Sequence, residues 1–206
     1  MQRSASMLSL TVKTSLRLAA AVIFLFMLNR FVGRQVIETL LPLLQSELHW
    51  LDDNFNVSKL VLVKHGVDSV ILLDVTLARF VVLGSRVIPP DPTDHATVTV
   101  LASSILQPML VGLALIATWP VQRAVQHFWR FAIGLLLLLL LLPLDVPLVL
   151  LGKLWELILM ANALHHFSLL VAWMDFMQGG GRLALALCAA IVAISLAQRL
   201  APPQMR

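Results

Sequence analysis

Cys188 is the single cysteine and the strongest nucleophile in the chain. A thiol does covalent chemistry only as a thiolate, with a base nearby to take its proton. Its neighbours are Leu185-Ala186-Leu187 on one side and Ala189-Ala190-Ile191-Val192 on the other, and none of them is a base. The same stretch places Ala186, Ala190, Ala193 and Ala197 three or four residues apart, with Ala189 beside them. Small residues at that spacing let helices approach closely, so the segment reads as a helix-packing stripe. No catalytic residue is expected there. One cysteine also cannot close an intramolecular disulfide.

A second set could hold a soft metal: His165 and His166, with Met160, Met174 and Met177 nearby. Thioether and imidazole ligands suit copper(I). Adjacent histidines on a helix point about 100° apart, however, and cannot both face one ion unless the helix breaks. They read more simply as interfacial histidines that reach headgroups or water. His49, His65 and His95 are scattered and form no cluster. No metal and no cofactor is expected, and copper or small-ligand handling is kept as the alternative function. Asp145, between Pro143 and Pro147, reads as the outer end of an apolar helix that breaks there. Glu156 and Asp175 read as solvated helix ends. Walker, dinucleotide, zinc-protease and nucleophile-elbow motifs are all absent from the sequence.

The elements that would position these residues are set by composition. Of 206 residues, 59% are apolar and 13% charged; mean hydropathy is +0.90. Soluble domains run nearer 45–50% and 25%, roughly. That excludes a soluble globular enzyme, a disordered regulator and a disulfide-stapled secreted module. The 15 Lys and Arg are scattered among apolar segments, so no basic patch for nucleic acid forms. Crossing a bilayer takes about 20 apolar residues. Four stretches are candidates: Leu16–Leu28, extended toward the N-terminus by Met7–Val12 and interrupted by Lys13 and Arg17, then Leu101–Trp119, Phe131–Leu150 and Leu183–Leu200. Residues 135–142 are eight consecutive leucines, worth roughly 4 kcal/mol toward insertion at about 0.5 kcal/mol each. A fifth stretch, Leu154–Met174, carries Glu156, Asn162, His165 and His166, and reads as an interfacial or re-entrant helix.

Cations set the orientation. With four spans and the N-terminus inside, residues 1–17, 119–130 and 199–206 are cytoplasmic and hold seven cations in 37 residues, with no acid. The outer pieces, 30–99 and 145–182, hold eight cations in 108 residues and all eleven acids. Both termini are therefore expected in the cytoplasm. Arg30 and Arg34 are the awkward feature of that arrangement. Met27-Leu28-Asn29-Arg30-Phe31 offers no small-residue cleavage site, so the first segment is expected to stay as an anchor. Trp50, Trp119, Trp129, Trp155 and Trp173 all fall at expected membrane boundaries.

Residues 31–50 read as an amphipathic helix continuing from the first span, kinked or divided at Pro42. Arg30, Arg34 and Glu38 recur every fourth residue along it. The texture then turns strand-like. Leu60–Val63 lies between two lysines, Ser69–Leu77 is β-rich, Arg79–Leu83 followed by Arg86–Ile88 is another β-branched run, and Thr97–Val100 alternates Thr and Val. Turn residues at His65-Gly66, Gly84-Ser85 and Pro89–Asp94 separate the runs. The expected fold is a mainly α membrane protein with about four transmembrane helices and a small extracytoplasmic β-rich insertion between helices 1 and 2. Its parts are an anchor (1–30), an interfacial helix (31–50), a β-rich module (55–103), a transmembrane hairpin (101–150), an interfacial or re-entrant helix (151–178) and a last span (182–200). Gly179-Gly180-Gly181 breaks the chain before that span.

This layout resembles the exosortase H-associated membrane protein family. The resemblance lies in an anchor, the Leu40-Leu41-Pro42-Leu43-Leu44 stretch, an outer β-rich segment, a paired-span hairpin starting near Leu106-Gln107-Pro108-Met109-Leu110, an outer helix near Leu150–Met160 and a last span. It implies an accessory role beside a transpeptidase-like protein-sorting enzyme in the inner membrane of a Gram-negative bacterium. Exosortases themselves carry a cysteine set among Ser and Gly, and Leu187-Cys188-Ala189 departs from that. The expectation is a non-enzymatic accessory subunit whose partners are the lipid bilayer and a larger integral membrane protein, an exosortase under the resemblance.

Overall fold

The computed structural model describes residues 2–66, 68–83, 86–91, 93–120, 124–162 and 167–200. In chain order the elements are α1 (Gln2–Leu51), β1 (Phe55–His65), β2 (Asp68–Leu77), β3 (Val81–Leu83), β4 (Arg86–Ile88), β5 (His95–Leu101), α2 (Ala102–Thr118), α3 (Ala124–Ala161), α4 (Leu169–Phe176) and α5 (Arg182–Leu200). A wide π-type turn, Met177–Gly181, joins α4 to α5. Among the described residues, three helical stretches are long and apolar enough to cross a membrane: Ser15–Leu51, Val125–Ala161 and Leu169–Leu200. The fourth expected span, α2, is a 17-residue helix, about 25 Å long at 1.5 Å per residue. It lies at the lower bound of the roughly 17–25 residues that a membrane-spanning helix takes.

Two helices run longer than the sequence suggests. α1 is one 50-residue helix that Pro42 does not divide. Proline removes one backbone donor and crowds the preceding turn. Ile37 before it and Leu44 and Leu48 after it are buried together, at 2–3% exposure, and this packing outweighs the local defect. α3 is likewise one 38-residue helix containing Pro143, Asp145 and Pro147, not a span ending at Asp145. Leu142 before the prolines is 4% exposed, and Val146, Val149 and Leu150 are at most 1% exposed; burial on both sides of the prolines keeps the helix going. The described residues of 151–178 include the end of α3, all of α4 and the start of the π-type turn.

The chain forms two compact units. The first takes residues up to Gly33, Leu106–Leu141 and those from Leu183. It is helical, and small residues set how closely its helices pack. A Cβ on Gly112 of α2 would lie 3.1 Å from the Ala186 carbonyl oxygen and 3.3 Å from Leu138. A Cβ on Gly134 of α3 would collide with Ile116. Ala190, Ala193 and Ile116 are the centre of that packing, each fully buried. The leucine run shows helical period: Leu138 and Leu142 are buried, whereas Leu135, Leu136, Leu139 and Leu140 are exposed. Arg130, counted above as an orientation signal, is only 1% exposed. Its Nη1 donates to the Pro120 carbonyl at 3.1 Å and reaches the Trp119 carbonyl at 3.4 Å. The guanidinium thus serves backbone acceptors left over where α2 ends.

The second unit takes Arg34–Ile105 and Leu142–Arg182. Its sheet is antiparallel in the order β1-β2-β5, with β3 and β4 forming a separate hairpin. Strand alternation sends Ile71, Leu73 and Val75 of β2 to one face, where each is at most 1% exposed. Leu73 pairs with Leu60 of β1 and Val98 of β5, and both partners are also buried. The later part of α3 docks on this sheet unit through three contacts. Lys153 Nζ donates to the Thr99 carbonyl at 2.7 Å, Trp155 Nε1 donates to Asp52 Oδ2 at 3.2 Å, and the Trp155 ring meets Phe55 edge-on at 5.8 Å. α4 packs on α3 at Gly152, where a Cβ would sit 2.7 Å from the Leu170 carbonyl oxygen.

Candidate functional site

The second unit holds a buried charge pair. Arg182 Nε donates to Asp145 Oδ2 at 2.6 Å, and their side chains are only 8% and 10% exposed. Arg182 Nη1 donates to Ser104 Oγ at 2.8 Å, and Ser104 Oγ itself donates to the Leu101 carbonyl at 2.8 Å. Asp145 comes from the middle of α3, Ser104 from the first turn of α2, and Arg182 opens α5. The sequence places Asp145 at a broken helix end with no partner flanking it. Its partner lies 37 residues further on, just past Gly180, which has φ 114° and ψ −1°. A residue with a side chain rarely adopts that backbone. The glycine turn therefore kinks the helical path, and Arg182 just beyond it meets the carboxylate. Among the described residues, Asp145 Oδ1 and Arg182 Nη2 are buried without a hydrogen-bond partner.

An open cleft of about 640 Å³ lies at the end of the sheet opposite the point where β5 leads into α2. Here β1 begins and β2 ends, with Phe55 opposite Leu77 and Asn56 opposite Thr76. The Ala78 N–H donates to the Asn54 carbonyl at 2.8 Å, carrying the strand pairing one step further. Phe55, Leu77 and Pro90 are the apolar lining. His49, Asp53, Asn56, Thr76 and Arg79 supply polar groups. Arg79 Nη2 stands 3.5 Å from Asp53 Oδ2, with both side chains nearly two-thirds exposed.

The residues singled out in the sequence fall in different places. Ala186, Ala190, Ala193 and Ala197 are at most 1% exposed, and Cys188 on the same helix is exposed. Of the soft-metal set, Met174 and Met177 are each 2% exposed while Met160 is 70% exposed, so the three methionines do not present one surface. His165 and His166 lie outside the described residues. Among the described residues, no three His, Cys, Asp or Glu side chains come together as a metal-holding group. Sequence reasoning missed Arg182, Ser104, Asn56 and Arg79. Only a lone cation opening an apolar helix, with the lone acid Asp145 inside another, could have flagged Arg182.

No family model, no curated protein and no solved structure matches this chain. Among the described residues, fold and site define a mainly helical chain with three helices long and apolar enough to cross a membrane, and a small sheet.

Proposed function

We propose that the protein is a non-enzymatic accessory subunit of a membrane system for protein sorting or surface export. In this reading it crosses the inner membrane of a Gram-negative bacterium four times, with both termini cytoplasmic. The sheet unit is then periplasmic and docks a larger integral membrane protein, an exosortase under the layout resemblance. The observation that carries the reading is the β3–β4 hairpin. Val82 and Val87 pair directly across it, and Phe80, Val82 and Val87 are 66%, 66% and 59% exposed. Trp50, in the last turn of α1, is 85% exposed. Large apolar side chains displayed on a sheet unit that already has its own core favour a protein interface.

A photo-crosslinking side chain at Val82, activated in native membranes, tests this reading. The expected product is one discrete adduct with a multi-span membrane protein, lost when Val87 is replaced by Lys. Recovery of the protein as an uncrosslinked monomer alone refutes the reading.

A further inference from the structure

We infer that the cleft at the head of the sheet binds an extended polypeptide segment carrying a carboxylate side chain, with Arg79 as the cation that reads it. This rests on the reading above, that the sheet unit meets a protein partner, and names the chemistry of the segment it takes. The volume of about 640 Å³ falls within the ~300–1,000 Å³ range of ligand pockets.

The floor is fixed before any ligand arrives. Phe55 is 4% exposed and held edge-on by the Trp155 ring at 5.8 Å. Trp155 is itself tied to Asp52, whose Oδ1 accepts from the Asn54 N–H at 3.0 Å. A rigid apolar floor takes an apolar side chain without an ordering cost. Asn56 lies at the rim with Thr76 opposite it in register. The Asn56 amide both donates and accepts, as a peptide backbone requires of its partner.

Arg79 supplies the charge recognition. Its contact with Asp53 is long, at 3.5 Å, and exposed on both sides, and such pairs contribute little. A carboxylate entering the cleft can take the planar guanidinium with two parallel hydrogen bonds, a stronger arrangement. Asp53 then becomes an acceptor for backbone N–H groups of the segment. Arg79 at the rim and the apolar floor together suit a carboxylate flanked by apolar side chains.

The test uses the intact protein in phosphatidylcholine nanodiscs and a fluorescein-labelled, C-amidated peptide Gly-Leu-Glu-Leu-Gly. Counterparts with Gln or Lys in place of Glu are measured alongside, with inorganic phosphate as competitor. The Glu peptide is expected to bind at least about tenfold more tightly than the Gln peptide, the margin a charge-assisted pair gives. That margin is expected to vanish in Arg79→Gln and to shrink in Arg79→Lys, which keeps the charge but loses the fork. Asn56→Ala weakens both peptides alike. Arg79 is exposed, so an unchanged thermal transition certifies the fold of its variants. Equal binding of the Glu and Gln peptides, no binding of any peptide, unchanged selectivity in Arg79→Gln, or displacement by phosphate at comparable concentration each overturns the inference. Loss of peptide selectivity with the Val82 adduct intact removes this inference alone. Loss of the adduct removes the reading beneath it.

Discussion

Replacing Arg182 by methionine leaves the Asp145 carboxylate buried on α3 without its cation. The two side chains are 8% and 10% exposed and joined at 2.6 Å. Two unit charges about 4 Å apart attract by about 4 kcal/mol at the effective dielectric of a protein site. Breaking a buried pair by removing one partner costs about 3–5 kcal/mol, because the remaining charge cannot recover its hydration. Arg182→Met and Asp145→Leu should therefore each lower stability by about that amount. The double substitution should cost far less than their sum, since replacing both partners of such a pair with apolar residues is often neutral or favourable. Ser104 does not offset this, because its hydroxyl keeps the Leu101 carbonyl as an acceptor when Arg182 is gone. The assay is a denaturant titration in detergent micelles of the wild type, both singles and the double, read as a double-mutant cycle. A coupling energy of several kcal/mol is expected. Either single costing below about 1 kcal/mol, or a double as costly as the singles added together, would refute the reasoning.

Gly112→Val should destabilise the helical unit by about 1–3 kcal/mol, since its Cβ would press on the Ala186 carbonyl at 3.1 Å and on Leu138; an unchanged thermal transition in micelles contradicts this packing. Asp91 sits below its ordinary carboxyl pKa because the Thr93 hydroxyl and N–H both donate to its Oδ1. Its contribution is thus present above the unfolded value near ~3.9 and lost as pH falls through the lowered folded value. An NMR titration should place the Asp91 midpoint below that of an unfolded Asp and move it upward in Thr93→Val, whereas a midpoint unaffected by the substitution speaks against the turn. Under the four-span reading, a C-terminal reporter active only in the cytoplasm should be active, and an inactive one would require either an odd number of crossings from a cytoplasmic N-terminus or the inverted orientation.

Much of the architecture was legible in the sequence because it follows from local pattern. The mainly helical character and the small sheet come from apolar content, the leucine run and the strand-like alternation around 55–103. Turn residues such as His65-Gly66 mark the joints, and Gly179–Gly181 announces the departure from helix that Gly180 makes. These are properties of neighbouring residues, and the chain's own covalent order carries them. Tertiary structure decided the rest. Pro42 and Asp145 look like ends when only their neighbours are considered. They sit inside helices because residues on both sides of them are buried. Arg130 looks like a charge for the membrane surface, yet it is spent on backbone carbonyls ten and eleven residues away. The Asp145–Arg182–Ser104 cluster joins positions separated by 37 and 78 residues. No periodicity encodes that meeting, because a buried charge finds its partner only once packing has removed water from both.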